Sequence, residues 1–452
     1  MREHGEDFRP RAPIPPYAGY LERLAETIER NIAEHELGRI APSQSSSGGA
    51  TEAQLAAVRR LHQECSSDVV ALSHRIHGHP ELGFHEKEAV GAISALLTEY
   101  GYRPQSGVYG LDTAVHCVSG LGRPRVAFLA EYDALPDIGH ACGHNIIGAA
   151  AVGAYLAVAP LAESLGGSVE LLGTPAEEGG CGKEYIARAG GFDDVDAALM
   201  IHPFTFDVAE HPGIGARQVR VEYRGLAAHA AGSPFLGRNA LDAVVHAYQG
   251  VQSMRQHMLP SDRVHGVITN GGGKPNVVPE EAAAEFMIRS ALPETLSELS
   301  ERMEDVFAAA AKATATTFRI SWDETPPYMP VRNNRTLVGR FAQHLSAGGR
   351  RLLPPGVVPV DVMAGSTDLG NVSVRVPAIH PTIAVAPPSV STHHSDFTAY
   401  AVSEAGDRGL LEGALGLALT AADYLADEGF RSAVQDEFVA SGGVVDVEAL
   451  LG

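Results

Sequence analysis

One stretch constrains the fold of this 452-residue chain more than any other. Val126 to Ala130 is an unbroken apolar run and reads as a buried strand. Gly148 to Val158 is a run of small and apolar residues and reads as a helix. Between them lies Glu131-Tyr132-Asp133-Ala134-Leu135-Pro136-Asp137-Ile138-Gly139-His140-Ala141-Cys142-Gly143-His144-Asn145, which holds acids, two histidines and a cysteine but few apolar anchors. A strand-to-helix crossover is where an open α/β sheet places its ligands. Cys142 and His144 stand two apart on a glycine-containing turn and can reach one point. Thiolate with imidazole suits zinc or a similar divalent ion.

The flanking pattern repeats the theme. A helix is expected from Thr51 to Ile76 and another from Glu86 to Tyr100. Strands are expected at Thr113–Val118, Val169–Gly173 and Ala197–His202, alternating with the helix above and one over 183–189. Strands alternating with helices imply a mainly parallel sheet with both faces covered. After Gly213 the pattern changes to strand 218–223, helix 239–258, strands 264–269 and 282–288, helix 293–313 and strand 316–322. That β-α-β-β-α-β order is a small α/β sandwich of ferredoxin-like type. The first pattern resumes after Pro330, with a strand at 379–386 and a helix at 404–426, so the sandwich reads as an insertion. The expected organisation is an extension at 1–50, with an amphipathic helix (17–40) and a Ser/Gly-rich link. A catalytic domain follows at 51–213 and 327–452, with a lid at 214–326.

A formal charge of -21 argues against nucleic acid or an anionic membrane as partner. No apolar run approaches the roughly 20 residues of a membrane span, and the charged start, Met1 to Arg11, has no secretory h-region. Four cysteines are too few for a disulfide framework, so a cytoplasmic location is expected.

Three further places carry metal-type chemistry. Glu177 and Glu178 follow the strand 169–173 directly. Adjacent glutamates in a loop point apart, so one can bind a metal while the other handles the attacking water. His202 ends a strand in Ile201-His202-Pro203, and His393 and His394 sit in Thr392-His393-His394-Ser395-Asp396-Phe397. Singly each is weak; together they supply a ligand set and a base. His77-Gly78-His79-Pro80-Glu81 reads as a plain turn, because Pro80 and Gly83 favour one. Gly271-Gly272-Gly273 lacks the context of a phosphate cradle. Ser366 lacks a nucleophile elbow, and Cys142 with His144 at two-residue spacing makes a poor nucleophile pair.

His140-Ala141-Cys142-Gly143-His144, Pro175-Ala176-Glu177-Glu178, Ile201-His202-Pro203 and His79-Pro80-Glu81-Leu82-Gly83 together resemble the metal-dependent amidohydrolase family of hippurate hydrolases, auxin-conjugate hydrolases and aminobenzoyl-glutamate hydrolase. The match runs in order over most of residues 70–425. Glu131 to Pro136 and Gly365 to Ser373 look most like the Xaa-Arg dipeptidase and aminobenzoyl-glutamate hydrolase branch. The resemblance implies a two-metal, phosphorylase/hydrolase-like catalytic domain with an inserted lid that dimerises. It makes Cys142, His144, Glu178, His202 and His393 metal ligands, with His394 one residue off as the rival for the last place. It makes Glu177 the general base and acid and Asp133 an orienting group, and leaves His140 without a task. His229 becomes an oxyanion-stabilising group reaching a partner's site, and Asn276 and Arg289 become holders of a substrate carboxylate. Asn145 stands where the wider family has an aspartate.

The expected activity is hydrolysis of an amide bond in a dipeptide or N-acyl amino acid, by a homodimer holding two divalent ions. Zinc is the first choice and manganese the alternative. Two rival readings are a non-catalytic metal- or ligand-binding member and a pathway-specific N-deacylase.

Overall fold

The computed structural model describes residues 48–353 and 365–452. The expected extension helix at 17–40 therefore lies outside the described residues. The main sheet contains β1 (Gln105–Ser106), β2 (Val115–Gly120), β3 (Arg125–Ala130), β4 (Ser168–Gly173), β5 (Ala197–Leu199) and β11 (Ala378–Ile379), in the order β1-β2-β4-β3-β5-β11. The pairs β4–β3, β3–β5 and β5–β11 are parallel, as the alternation implies. The β1–β2 and β2–β4 pairs are antiparallel. Only residues 121–124 separate β2 from β3, too few for the helix that a parallel crossover carries.

Both faces of this sheet are covered. α1 (Glu52–Gly78), α2 (Lys87–Glu99), α3 (His144–Val158) and the long helix Glu404–Ala426 share one core with it. Helix Gly182–Arg188 and the turn Leu369–Ser373 pack on the other face. Every residue of α3 is buried. Its small residues permit this: a Cβ on Gly148 would lie 2.7 Å from the Glu131 carbonyl, and one on Gly153 would meet Val69 of α1 and Ala414 of the long helix. The helical stretches His144–Leu161 and Glu404–Ala426 are long and apolar enough to cross a membrane, unlike the expectation from apolar runs. They are 89% and 78% buried within the fold, and a helix apolar all round is a core helix here.

Two strands break where the sequence reads as continuous. The expected strand at 197–202 divides into β5 and β6 (His202–Phe204), and that at 379–386 into β11 and β12 (Thr382–Ala384). β6 and β12 leave the main sheet and pair with each other. The shared break brings His202 and His380 side by side, with ring centroids 5.5 Å apart.

The inserted unit runs β7 (Gly215–Arg224), helix Ala240–Met254, β8 (Arg263–Asn270), β9 (Glu281–Ser290), helix Pro293–Thr314 and β10 (Thr317–Trp322). Its four strands are antiparallel in the order β10-β7-β9-β8, with a core of its own. Two short crossings join it to the main domain, held where Val331 N donates to the Gly213 carbonyl and Ala216 pairs with Tyr328.

Candidate metal centre

The loop between β3 and α3 ends at Gly143, whose φ of +80° turns the chain into the helix. A Cβ there would lie 2.6 Å from the Pro203 ring, so the turn needs glycine. This close approach sets Cys142 and His144 beside the start of β6. Cys142 Sγ lies 3.4 Å from His202 Nε2. His202 Nδ1 donates to the Pro203 carbonyl at 2.7 Å, which leaves Nε2 to face the sulfur.

Asp133 braces the centre. It accepts from His144 Nδ1 at 3.0 Å and from the Glu178 backbone N–H at 2.9 Å. A carboxylate on one imidazole nitrogen directs the other toward a metal. His144 Nε2 has no hydrogen-bond partner among the described residues. It faces Glu131, Glu177 and Glu178 oxygens at 3.6, 3.8 and 4.0 Å.

The two glutamates sit on a contorted turn. Ala176 and Cys181 have φ of +58° and +56°, and Gly179 has +83°. A left-handed alanine costs about 1 kcal/mol. The turn is held by the buried Glu86, which accepts the Ala176 N–H at 2.9 Å, and by Tyr328, whose hydroxyl donates to the Glu177 carbonyl at 2.8 Å. Both carboxylates thereby reach the same centre. His393 completes it: with φ of +61°, its N–H donates to the Ala141 carbonyl and its Nε2 lies 3.1 Å from Glu178 Oε1. The His394 ring instead caps the following helical turn by accepting the Asp396 N–H.

The donor atoms form overlapping groups, each within 4.8 Å: Cys142, His144 and His202; Cys142, Glu178 and His393; His144, Glu177 and Glu178. Sulfur, imidazole and carboxylate donors in this arrangement fit divalent metal ions. The electrostatics agree. Burial pushes the Cys142 thiol well up, the cost a nearby cation would remove. Burial, together with the Glu131 and Glu178 charges, raises Glu177 well above the ordinary carboxylate value. Burial and the neighbouring His144 push His202 down to about 4, and a neutral imidazole keeps a lone pair that could bind a cation.

Behind Glu177 lies a network that the sequence reading did not single out. Lys183 Nζ bonds Glu131 at 2.5 Å and Asp368 at 2.6 Å, and all three side chains are fully buried. Glu131, Glu177 and Asp368 also converge, but there Lys183 already supplies the cation. The charged pair Lys183-Glu184, set among small residues, was the available signal.

His140 enters none of these groups; its ring stacks on His77. The expected turn at His77 begins later, since α1 runs to Gly78; His77 and His79 bond backbone carbonyls, and Glu81 accepts N–H groups at the start of α2. Asn145 is buried and donates to Ser73 and the Ala401 carbonyl, a packing role.

The cluster opens into a cleft of about 640 Å³ between the two units, lined also by His211, Arg289, Ser366 and His380. Arg289 donates to Ser366 Oγ at 2.8 Å. His229 and Asn276 are exposed and do not line this cleft within the chain. They share one corner of the inserted unit, where Ala230 N donates to the Asn276 carbonyl.

Comparison with known proteins accords with this geometry. Residues 214–315 match the model of a peptidase dimerisation domain. The chain is 36% identical over 416 residues to the Xaa-Arg dipeptidase of Mus musculus, covering 88% of this chain and 95% of that protein. The chain belongs to the M20 family of peptidases and amidohydrolases. A p-aminobenzoyl-glutamate hydrolase polypeptide of Escherichia coli is 36% identical over 300 residues, 62% of each chain. A Bacillus subtilis structure described as a dinuclear metal-binding peptidase of the M20 family superposes with a TM-score of 0.60 at 19% identity, covering 83% of this chain and 99% of that one.

Proposed function

We propose that this M20 protein hydrolyses the amide bond of a dipeptide or N-acyl amino acid, with Glu177 as general base and two divalent ions held by Cys142, His144, Glu178, His202 and His393. The observation that carries this reading is the meeting of those six side chains from four distant segments. When bound, such ions lower the pKa of coordinated water and polarise the scissile carbonyl. Zinc suits the mixed sulfur, nitrogen and oxygen donors, with manganese as the alternative.

The chain's own groups do the rest. Asp133 holds the His144 tautomer, and Pro203 holds that of His202. The Glu177 carboxylate lies 3.8 Å from His144 Nε2, at the edge of the donor cluster. Its raised affinity for a proton suits taking one from water and returning it to the leaving amine. Arg289 offers a guanidinium to the substrate carboxylate, with Asn276 as its lid companion. His229 of the partner subunit supplies the oxyanion donor. The dimerisation-domain match and the exposed Val267 and Ile268 on edge strand β8 support a homodimer formed through the lid. The boundaries 214–326 for that lid, and 51–213 with 327–452 for the catalytic domain, belong to the same proposal. So does a cytoplasmic location, supported by four free, buried cysteines.

Glu177→Gln tests the reading. Its kcat on a panel of dipeptides and N-acyl amino acids is expected to fall about 10²–10⁴-fold with metal content retained. Full activity in that variant would end the mechanism, and metal binding without turnover in the wild type would leave a non-catalytic binder.

A further inference from the structure

The sequence Ile-His-Pro occurs twice, at 201–203 and at 379–381. The fold lays the two copies side by side at the shared strand break, where His202 N donates to the Pro381 carbonyl. The first copy supplies a donor of the metal centre. The second, His380, faces the same cleft but joins none of the metal groups. It is only 4% exposed, and neither ring nitrogen has a hydrogen-bond partner among the described residues. His211 lies next along the wall, with ring centroids 6.2 Å apart, and its Nε2 is also unpartnered among those residues. A buried polar group left unpaired costs about 1–3 kcal/mol, so two such rings on one cleft wall point to something the cleft receives.

The pair is braced from behind. Asn333 accepts the His380 backbone N–H at 2.9 Å and donates its amide to the His211 carbonyl at 3.0 Å. The wall then continues toward Arg289. Gly213, two residues after His211, bridges to Gly365, and the next residue, Ser366, takes the Arg289 hydrogen bond. Arg289 has no acidic partner among the described residues, so this end of the cleft has positive charge to spare. The row from His202 through His380 to His211 and Arg289 therefore leads from the metal centre to an anion-seeking corner. His380 lies one step along it, 5.5 Å from His202. A residue spans about 3.8 Å, so a group one residue beyond the scissile bond falls beside His380 rather than beside the metal donors.

We infer that His380 and His211 form, with Arg289, the subsite that reads the free carboxylate of the leaving residue, each imidazole donating one ring N–H to it. This rests on the amide-hydrolase reading above. Each imidazole carries a ring N–H that can donate to a carboxylate oxygen. The subsite thus selects a carboxylate by hydrogen bonds as well as by the one guanidinium. An amide-capped C-terminus has one acceptor oxygen where the carboxylate has two, and no charge, so it satisfies fewer of these donors.

The test compares alanyl-arginine with alanyl-argininamide in the metal-loaded wild type and in His380→Phe and His211→Phe, which keep an aromatic ring and remove the donors. The ratio of kcat/KM for free acid over amide is expected to fall about tenfold or more in each variant, with metal content at the wild-type value. An unchanged ratio, equal losses on both substrates, or a loss of metal overturns the assignment, the last by making the rings supports of the metal centre. Calorimetry with arginine and argininamide separates this inference from the hydrolase reading. If the wild type turns over no substrate, that reading falls. A preference for arginine that both variants lose still supports the subsite, and equal affinity for the two probes overturns it.

Discussion

The metal-centre wall and the lid corner around His229 are opposite kinds of construction. In the wall, the donors range from buried Cys142, His144 and Glu177 through half-buried Glu178 and His202 to exposed His393, and most are held by a second group: His144 by Asp133, His202 by Pro203, the glutamate turn by Glu86 and Tyr328. In the lid corner, His229 and Asn276 are exposed, and among the described residues the His229 ring accepts the Ala231 and Gly232 N–H groups. A braced, buried donor is ready to act within its own chain. The exposed His229 does not reach the cleft of its own chain, which is why the proposed function gives it a role in a partner's cleft.

Mixing experiments break or sharpen that contrast most. His229→Ala is expected to lower kcat by about 10²–10³, the loss seen when an oxyanion donor is removed, with metal content unchanged. Mixed with Glu177→Gln, it should regain activity, because one heterodimer site would carry both intact groups. No recovery on mixing would place His229 in its own chain's site or outside catalysis. The next largest effect concerns stability. Lys183→Met strands the buried Glu131 and Asp368 carboxylates and should cost about 3–5 kcal/mol in denaturant unfolding. Arg224→Ala breaks an exposed lid pair with Glu281, 77% and 59% exposed, and should cost under about 1 kcal/mol. Similar losses in the two variants would remove the distinction between wall and lid.

Asp133→Asn should weaken metal affinity about 10–100-fold by loosening His144, read by chelator competition. A smaller effect is expected from Asp423, which pairs with Arg340 and His344 at 2.7 Å and accepts the Ala50 N–H. Burial opposes its charge, but His344 and Arg340 outweigh burial and hold its pKa below the ordinary 3.8. Its stabilisation is therefore full above that value and is lost as pH falls through the lowered folded pKa. The difference in unfolding free energy between wild type and Asp423→Asn should shrink as pH falls through that window. A constant difference would show that the pairing does not depend on the charge.

Much of the fold was legible in the chain. β3, β4, α3 and the 404–426 helix appear where apolar runs place them, because each is an apolar stretch buried on nearly all sides. The β5–β6 and β11–β12 divisions were not legible. Pro203 and Pro381 follow histidines in short apolar stretches, and a local reading sees one strand. Only the pairing of both breaks shows that the chain leaves the sheet there. The same reason hid His380, whose repeated Ile-His-Pro motif was visible but without a neighbour.

Sequence alone determined the chemistry offered at the centre: a thiol, imidazoles and adjacent carboxylates, and a small-residue helix able to pack closely behind them. These are properties of residue type and short spacing, and no fold is needed to read them. Tertiary structure decided which groups share a point. It separated His393 from His394: a left-handed backbone aims the first ring at Glu178 while the second caps a helix. It set Lys183 between two acids 52 and 185 residues away in sequence. It also left His229 facing outward. Distances between residues remote in sequence depend on how layers pack, and that information exists only once the layers have formed.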